Sequence, residues 1–244
     1  MSFSIAQYEA LMEKLDSGIR ELSAKLGEVG PATRSAAGRW YVPDEIGDAL
    51  VWAGRELVEI GSWVLKKIQE LLEGAAAPVL MFKYAWEWQE DVRSPASLVA
   101  GEVHSDVLKA ARSWQGTAAD AYATAVKTQT TAVTQIETSA DKIATSLGLC
   151  AVAGFAFYVA LGAILYKFIA ATIAAITAAG TGVFSWAGVV LIVEECGVNS
   201  ALIIAAVTAL SAALGAQAQQ IATIQGEAGD NSAFPGGHWP AGTA

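Results

Sequence analysis

Charge is scarce in this chain, and what there is leans to one sign. Asp, Glu, Lys and Arg make up 16% of the 244 residues, against a usual quarter, and 24 acidic against 15 basic residues leave a net charge of −9. An acidic chain with no cluster of Lys and Arg has no concentrated basic face to displace counterions from phosphate, which excludes nucleic acid as a partner. Histidine and cysteine are rarer still. His104, His238, Cys150 and Cys196 are the only residues of their kinds, too few and too scattered for a structural zinc site or a disulfide framework. No His can be placed beside a suitable Ser or Cys, no glycine-rich phosphate loop follows a strand, and almost no strand pattern is present. The chain therefore reads as non-enzymatic, with no metal and no cofactor. The first residues, MSFSIAQYEALMEKLDSGIREL, lack the basic start and unbroken apolar run of a secretory signal peptide, so any export is expected to take another route.

The few charges are also unevenly placed. Residues 1–142 carry 34 of them, whereas residues 143–244 carry five: Lys167, Glu194, Glu195, Glu227 and Asp230. In the charged half, Ile5, Tyr8, Met12, Leu15, Ile19, Leu22 and Leu26 alternate spacings of three and four, which puts them on one stripe of an amphipathic helix. Gly27 and the Gly30-Pro31 pair are expected to end it, with a polar loop to about Tyr41–Pro43. Asp44 is expected to cap a second helix through Glu73, with Ile46, Leu50, Ala53, Leu57, Ile60, Val64, Ile68 and Leu71 on its stripe. After an interruption at 74–78, Phe82, Tyr84, Trp86 and Trp88 fall within seven residues of a short aromatic helix. Aromatic belts mark membrane interfaces, but packing against the neighbouring helices is the expectation here.

Ser94-Pro95 reads as the start of a third main helix, with an N-cap and a proline at the first helical position. Its stripe is Val99, Val103, Val107, Ala110 and Trp114. Beyond Gly116 a coiled-coil seam runs through Ala119, Tyr122, Val126, Gln129, Val133, Ile136, Ala140, Ile143 and Leu147, with Gln129 as its one polar member. A tight turn at Gln115-Gly116 would fold the two arms into an antiparallel hairpin, because glycine tolerates the backbone of a sharp helix exit. Trp-x-Gly occurs three times, but Trp52-Ala53-Gly54 and Trp186-Ala187-Gly188 lie inside helical or apolar runs. Only Trp114-Gln115-Gly116 has amphipathic stripes on both sides.

From 143 to 226 the three charges Lys167, Glu194 and Glu195 separate uncharged runs of 24, 26 and 31 residues, and about 20 apolar residues span a bilayer. The seam helix is expected to continue to Ala179, with a hinge at Gly180-Thr181-Gly182. Two shorter apolar helices, 183–193 and 199–225, would then return along it. The stretch is rich in Ala, Gly, Ser and Thr, which favours close helix packing. Glu194-Glu195 reads as a polar loop between these helices, with an intramembrane acid pair as the sharper alternative. Lys167 snorkels to a headgroup layer or lines a pore, or it sits on the solvent side of a bundle. The two cysteines read as inert thiols and neither histidine as catalytic.

SWQGTAADAY, with a helix on each side, resembles the WXG-motif family of helical-hairpin proteins exported by type VII (ESX) secretion systems. The similarity covers about 94–147, and the whole chain looks like the longer ESX-associated substrates that join such a hairpin to a hydrophobic segment. The resemblance implies that Trp114 and Gly116 form the interhelical elbow and that Tyr122, Val126, Val133 and Ile136 are seam residues. It also implies a WXG-type partner protein or self-association, and the type VII machinery as a further partner. The Tyr-x-x-x-Asp/Glu export signal of many such substrates is missing after the hairpin, since Tyr122 is followed at the fourth position by Val126. A partner chain would supply it.

The reading is thus an all-α, elongated helical bundle in four segments: amphipathic helices at 1–93, the WXG-type hairpin at 94–142, an apolar helical hairpin at 143–226, and a flexible tail at 227–244. Its expected role is that of a secreted or cell-envelope, membrane-associated substrate. The apolar hairpin hides against the N-terminal stripes or a partner in solution and enters a lipid membrane at its target, as an anchor or a pore-forming oligomer. Two alternatives stay open: a resident integral membrane scaffold or channel component, and an export partner of a toxin that never inserts.

Overall fold

A computed structural model describes residues 4–104, 106–109, 113–181, 186–229 and 232–241, with backbone alone at 175, 178–181, 186–200, 227 and 228. The fold is all-α, with no strand among the described residues. Helix α1 spans Ile5–Ala37 and α2 spans Asp44–Leu72. Next come α3 (Ala77–Glu87), a π-helical turn (Trp88–Arg93) and α4 (Ser94–Glu102). The long helices α5 (Thr117–Thr181) and α6 (Trp186–Ala228) complete the order. The chain packs as two compact units, one of residues 1–77 with 153–212 and the other of residues 78–152 with 213–244.

In the first unit α1 and α2 form an antiparallel hairpin whose closeness depends on three glycines seven residues apart. Gly47 lies against Ala37, Gly54 against Thr33 and Gly61 against Leu26, so a side chain at Gly54 or Gly61 would collide with α1 and one at Gly47 would crowd it. The segment of α5 from 153 onward lies along α1. Gly162 faces Leu11 and Leu15, and Gly18 faces Leu165 and Ile169. Leu15, Leu22, Val64, Ile68, Leu161, Phe168 and Thr172 are fully buried here, and the Thr172 hydroxyl donates to the Phe168 carbonyl, so the one polar member of that set is satisfied.

Tyrosines tie the open end of this unit. The first four N–H and last four C=O groups of a helix lack partners within it. At the end of α2 the Tyr158 hydroxyl donates to the Leu71 carbonyl at 2.9 Å, and the Tyr8 hydroxyl donates to the Ala75 carbonyl just beyond at 2.6 Å. The two rings meet edge to face at 5.8 Å, and Phe155 also meets Tyr8, at 6.2 Å. Burial, with Tyr158 beside it, pushes the Tyr8 phenol above its ordinary range.

Several local expectations are corrected. Helix α1 does not stop at Gly27 or Gly30-Pro31 but runs to Ala37. Val29, Thr33 and Ala36 are buried on the same stripe as Leu26, and that burial outweighs the weakness of proline in a helix. The Thr33 hydroxyl and Arg34 Nε both donate to the Gly30 carbonyl. Asp44 is not the cap of α2. Pro43 precedes the helix and its carbonyl accepts from Ile46 and Gly47, while Asp44 and Glu45 sit in the first turn, where acidic side chains offset the helix dipole.

In the second unit Ser94 does not begin a helix after a break, because Arg93 and Ser94 both hold helical dihedrals and the path is helical from Ala77 to Glu102. The four aromatic residues divide: Trp86 is 62% exposed and Tyr84 is also exposed, whereas Phe82 and Trp88 are half-buried, and the fully buried positions of α3 are Pro78 and Ala85. Two of the four rings are left outside. The helix meets the first half of α5 in antiparallel register. Arg93 pairs with Asp141 at 3.1 Å and Glu137 at 3.9 Å, Gln89 donates to Asp141, and Thr130 donates to the Val103 carbonyl. The tail is packed rather than free: Ala233 and Pro240 are buried, Gln129 donates to the Pro240 carbonyl, and Phe234 meets Trp239. Gly236 and Gly237 hold φ of 67° and 78°, so these glycines serve a turn that brings Trp239 back.

Candidate membrane-interaction region

Among the described residues two helices are long and apolar enough to cross a membrane, by length and composition. One lies within 117–174 of α5, with mean hydropathy 2.2 over its most apolar window, and the other is residues 201–226 of α6, at 1.9. They differ in cover. A third of the α5 window is buried in protein but only 6% of the α6 window is. On α5 the core-facing side is Leu161, Leu165 and Phe168, whereas Val159, Tyr166 and Ile173 point outward. On α6 Ile203 is buried, while Leu202, Leu214 and Ile221 are exposed and Ile204 is 61% exposed. Exposed apolar area forfeits about 25 cal/mol per Å² of burial free energy, and contiguous patches of it mark interaction surfaces.

Four threonines along these helices are satisfied in a way that suits lipid, whereas the Gln217 side-chain oxygen on α6 is buried without a partner among the described residues. Thr172, Thr177, Thr208 and Thr223 each donate to the carbonyl four residues back, which needs no water. Gln217, Gln219 and Gln220 mark the polar end of the α6 window, and Ser146 of α5 donates to the Gln220 side chain at 3.0 Å.

Lys167 is exposed, on the outward side of α5 next to Tyr166. Glu194 and Glu195 are not in a loop, because α6 is a single helix from Trp186 to Ala228 that contains them and Cys196. Nothing in VEECGVN forbids a helix, and glutamate is among the better helix formers. The pair of shorter helices expected at 183–193 and 199–225 is therefore one. Gly180 lies in the last turn of α5, which ends at Thr181, and Gly182 lies outside the described residues.

At the Trp-x-Gly motif, Gly116 holds φ of 103°, and its carbonyl accepts the N–H groups of Ala119 and Asp120 at the start of α5. Trp114 is exposed and stacks at 5.8 Å on the half-buried Tyr122. Val126 and Val133 are buried and Ile136 is half-buried. The first arm, however, does not reach Trp114 as expected. Helix α4 ends at Glu102, and Val107 is largely exposed, so no burial at that position holds the stripe in a helix, while Ala110 lies outside the described residues. Among the described residues no group of three or more His, Cys, Asp or Glu is placed to hold a metal ion.

Comparison with protein-family models, with curated proteins and with solved structures finds no match to this chain. Features that the stripes did not reveal include the glycines at 47, 54 and 61 and the two tyrosine hydroxyls on the end of α2. The glycine spacing of seven was visible in the sequence. It appears as a pattern only when small residues, and not just large apolar ones, are read as a helix face.

Proposed function

We propose that this is a non-enzymatic protein that acts at a lipid membrane through the second half of α5 and through α6. The observation that carries the proposal is the bare α6 window: a helix of spanning length with 6% of its most apolar residues covered by protein. In solution the segment of α5 from 153 to 172 is held against α1, whereas α6 offers its face to lipid or to another copy. The helices enter the bilayer as an anchor or as a pore-forming oligomer, a helix being able to satisfy its backbone polar groups within the segment. The turn at Gly116, the Trp114–Tyr122 contact and the antiparallel arms at 77–102 and 117–152 support a further proposal, export as a substrate of an ESX-type system with a WXG-type partner.

The test is liposome flotation and dye release with the full chain purified without detergent, beside Ile204→Glu. Removing 143–226 is a poorer control, because Leu161, Leu165 and Phe168 belong to the core. Flotation of the wild type that the substitution abolishes supports the proposal, and dye release distinguishes pore from anchor. A soluble wild type that never floats overturns it.

A further inference from the structure

The exposed aromatic residue that stands out is not on an apolar helix. Trp40, in the loop 38–43 between α1 and α2, is 94% exposed, and Tyr41 beside it is exposed as well. The rings meet edge to face at 5.7 Å. Among the described residues the Trp40 indole N–H finds no acceptor. The loop is nevertheless tightly built. Gly38 N–H donates to the Arg34 carbonyl, Val42 N–H to the Arg39 carbonyl, and Arg39 Nη1 to the Tyr41 hydroxyl at 3.0 Å. Beneath it Ala36 and Leu50 are buried with Ala32 and Ala53 packed on them. A large apolar ring is thus held out in water by a well-ordered base.

Its place within the first unit says what it meets. Tyr8 stands against Phe155 and Tyr158, Gly162 faces Leu11 and Leu15, and Gly18 faces Leu165 and Ile169, so α1 and α5 run in the same direction. Beyond the Gly18 contact α1 continues for about 28 Å to Ala37 and α5 for about 18 Å to Thr181. The Trp40 loop therefore lies at the end where α5 finishes, and α6 begins five residues later at Trp186. The amphipathic rings and the ends of both apolar helices share one end of the unit.

We infer that the loop 38–43 is an interfacial anchor, with Trp40 and Tyr41 seated in the headgroup layer of a phospholipid membrane. Trp and Tyr settle there because an apolar body and a polar tip suit that boundary. The surface it fits is a zwitterionic one. Arg34 and Arg39 are matched by Asp44, Glu45 and Asp48 along the adjoining helix ends, so no net positive charge draws the loop to anionic lipid. The role deepens the membrane reading above and rests on it.

The experiment is flotation of the full chain on phosphatidylcholine vesicles at low and high salt. Wild type is compared with Trp40→Ala/Tyr41→Ala and with Trp52→Ala, an exposed tryptophan on the flank of α2. Circular dichroism confirms that helicity is equal. The anchor predicts salt-independent binding of the wild type, about tenfold weaker partitioning of the double variant, and no change for Trp52→Ala. Equal flotation of wild type and double variant overturns the anchor and leaves the membrane reading intact. A wild type that never floats overturns both. Loss of a copurifying protein by the double variant, with flotation unchanged, makes the loop a protein contact and overturns the lipid assignment, as does binding that requires anionic lipid.

Discussion

A hydrogen atom in place of a side chain brings α1 and α2 together. At Gly54 an added Cβ would meet Thr33 Cγ2 at 2.7 Å, Oγ1 at 2.8 Å and Cβ at 3.2 Å. Thr33 is β-branched, buried and bonded through its hydroxyl to the Val29 carbonyl, so it cannot swing aside. Gly54→Ala is expected to destabilise the protein by about 1–3 kcal/mol despite better helix propensity, whereas Gly27→Ala, with nothing within 4 Å, is expected to stabilise it slightly. Thermal midpoints of the two variants check this. Tyr8 carries a pH signature. Its folded-state pKa lies above the unfolded value, so its contribution is complete below about pH 10 and is lost as pH rises further, because the unfolded chain releases a proton that the folded one retains. Tyr8→Phe is expected to lose about 1 kcal/mol at neutral pH with the Ala75 hydrogen bond, and to show a shallower fall in urea midpoint above pH 10.

Helices are held to length by what covers them. Proline did not end α1, because Val29, Thr33 and Ala36 still had α2 to pack on. Glu194-Glu195 did not end α6, because two acidic residues break no helix. Helix α4 ended early, although its stripe continued in the sequence, because Val107 found no cover. These three cases show how far helix boundaries were legible: apolar period located the elements, and partner faces set where they stopped. At the start of α5, Gly116 has open space where a Cβ would sit, so its requirement is purely the backbone φ of 103°. Gly116→Ala is expected to cost about 1–2 kcal/mol locally and to speed hydrogen exchange at Ala119 and Asp120, whose amides bond to its carbonyl. Trp114→Ala, which loses only the contact with Tyr122, is expected to change exchange there less. Equal protection in all three proteins would show that the motif does not hold the entry of α5.

For the whole molecule the outstanding quantity is apolar surface without protein cover. Ile204 tests whether that surface is meant for lipid, because its side chain is exposed and makes little contact. Ile204→Glu is expected to leave stability within about 0.5 kcal/mol, as surface changes do, yet to oppose insertion by somewhat less than the roughly 2.5 kcal/mol that a charge costs at the centre of a spanning helix, because Ile204 lies in the first turn of 201–226. Urea unfolding and vesicle flotation measured together separate the two effects. Retained flotation would place α6 outside the bilayer. By itself the sequence determined that the chain is helical, that its charge thins to five residues beyond 142, that α1 and the seam through Val126 and Val133 carry one apolar stripe each, and that the uncharged runs between 143 and 226 are long enough to span a membrane. Periodicity and composition are local properties, written in neighbouring residues. Tertiary structure alone decided that α5 is partly covered by α1 while little of residues 201–226 of α6 is, that Tyr84 and Trp86 of α3 face out and the tail packs in, and that Trp40 is presented at the end where α5 finishes. Cover depends on which faces meet across long stretches of chain, and spacing along one helix carries no information about the face opposite it.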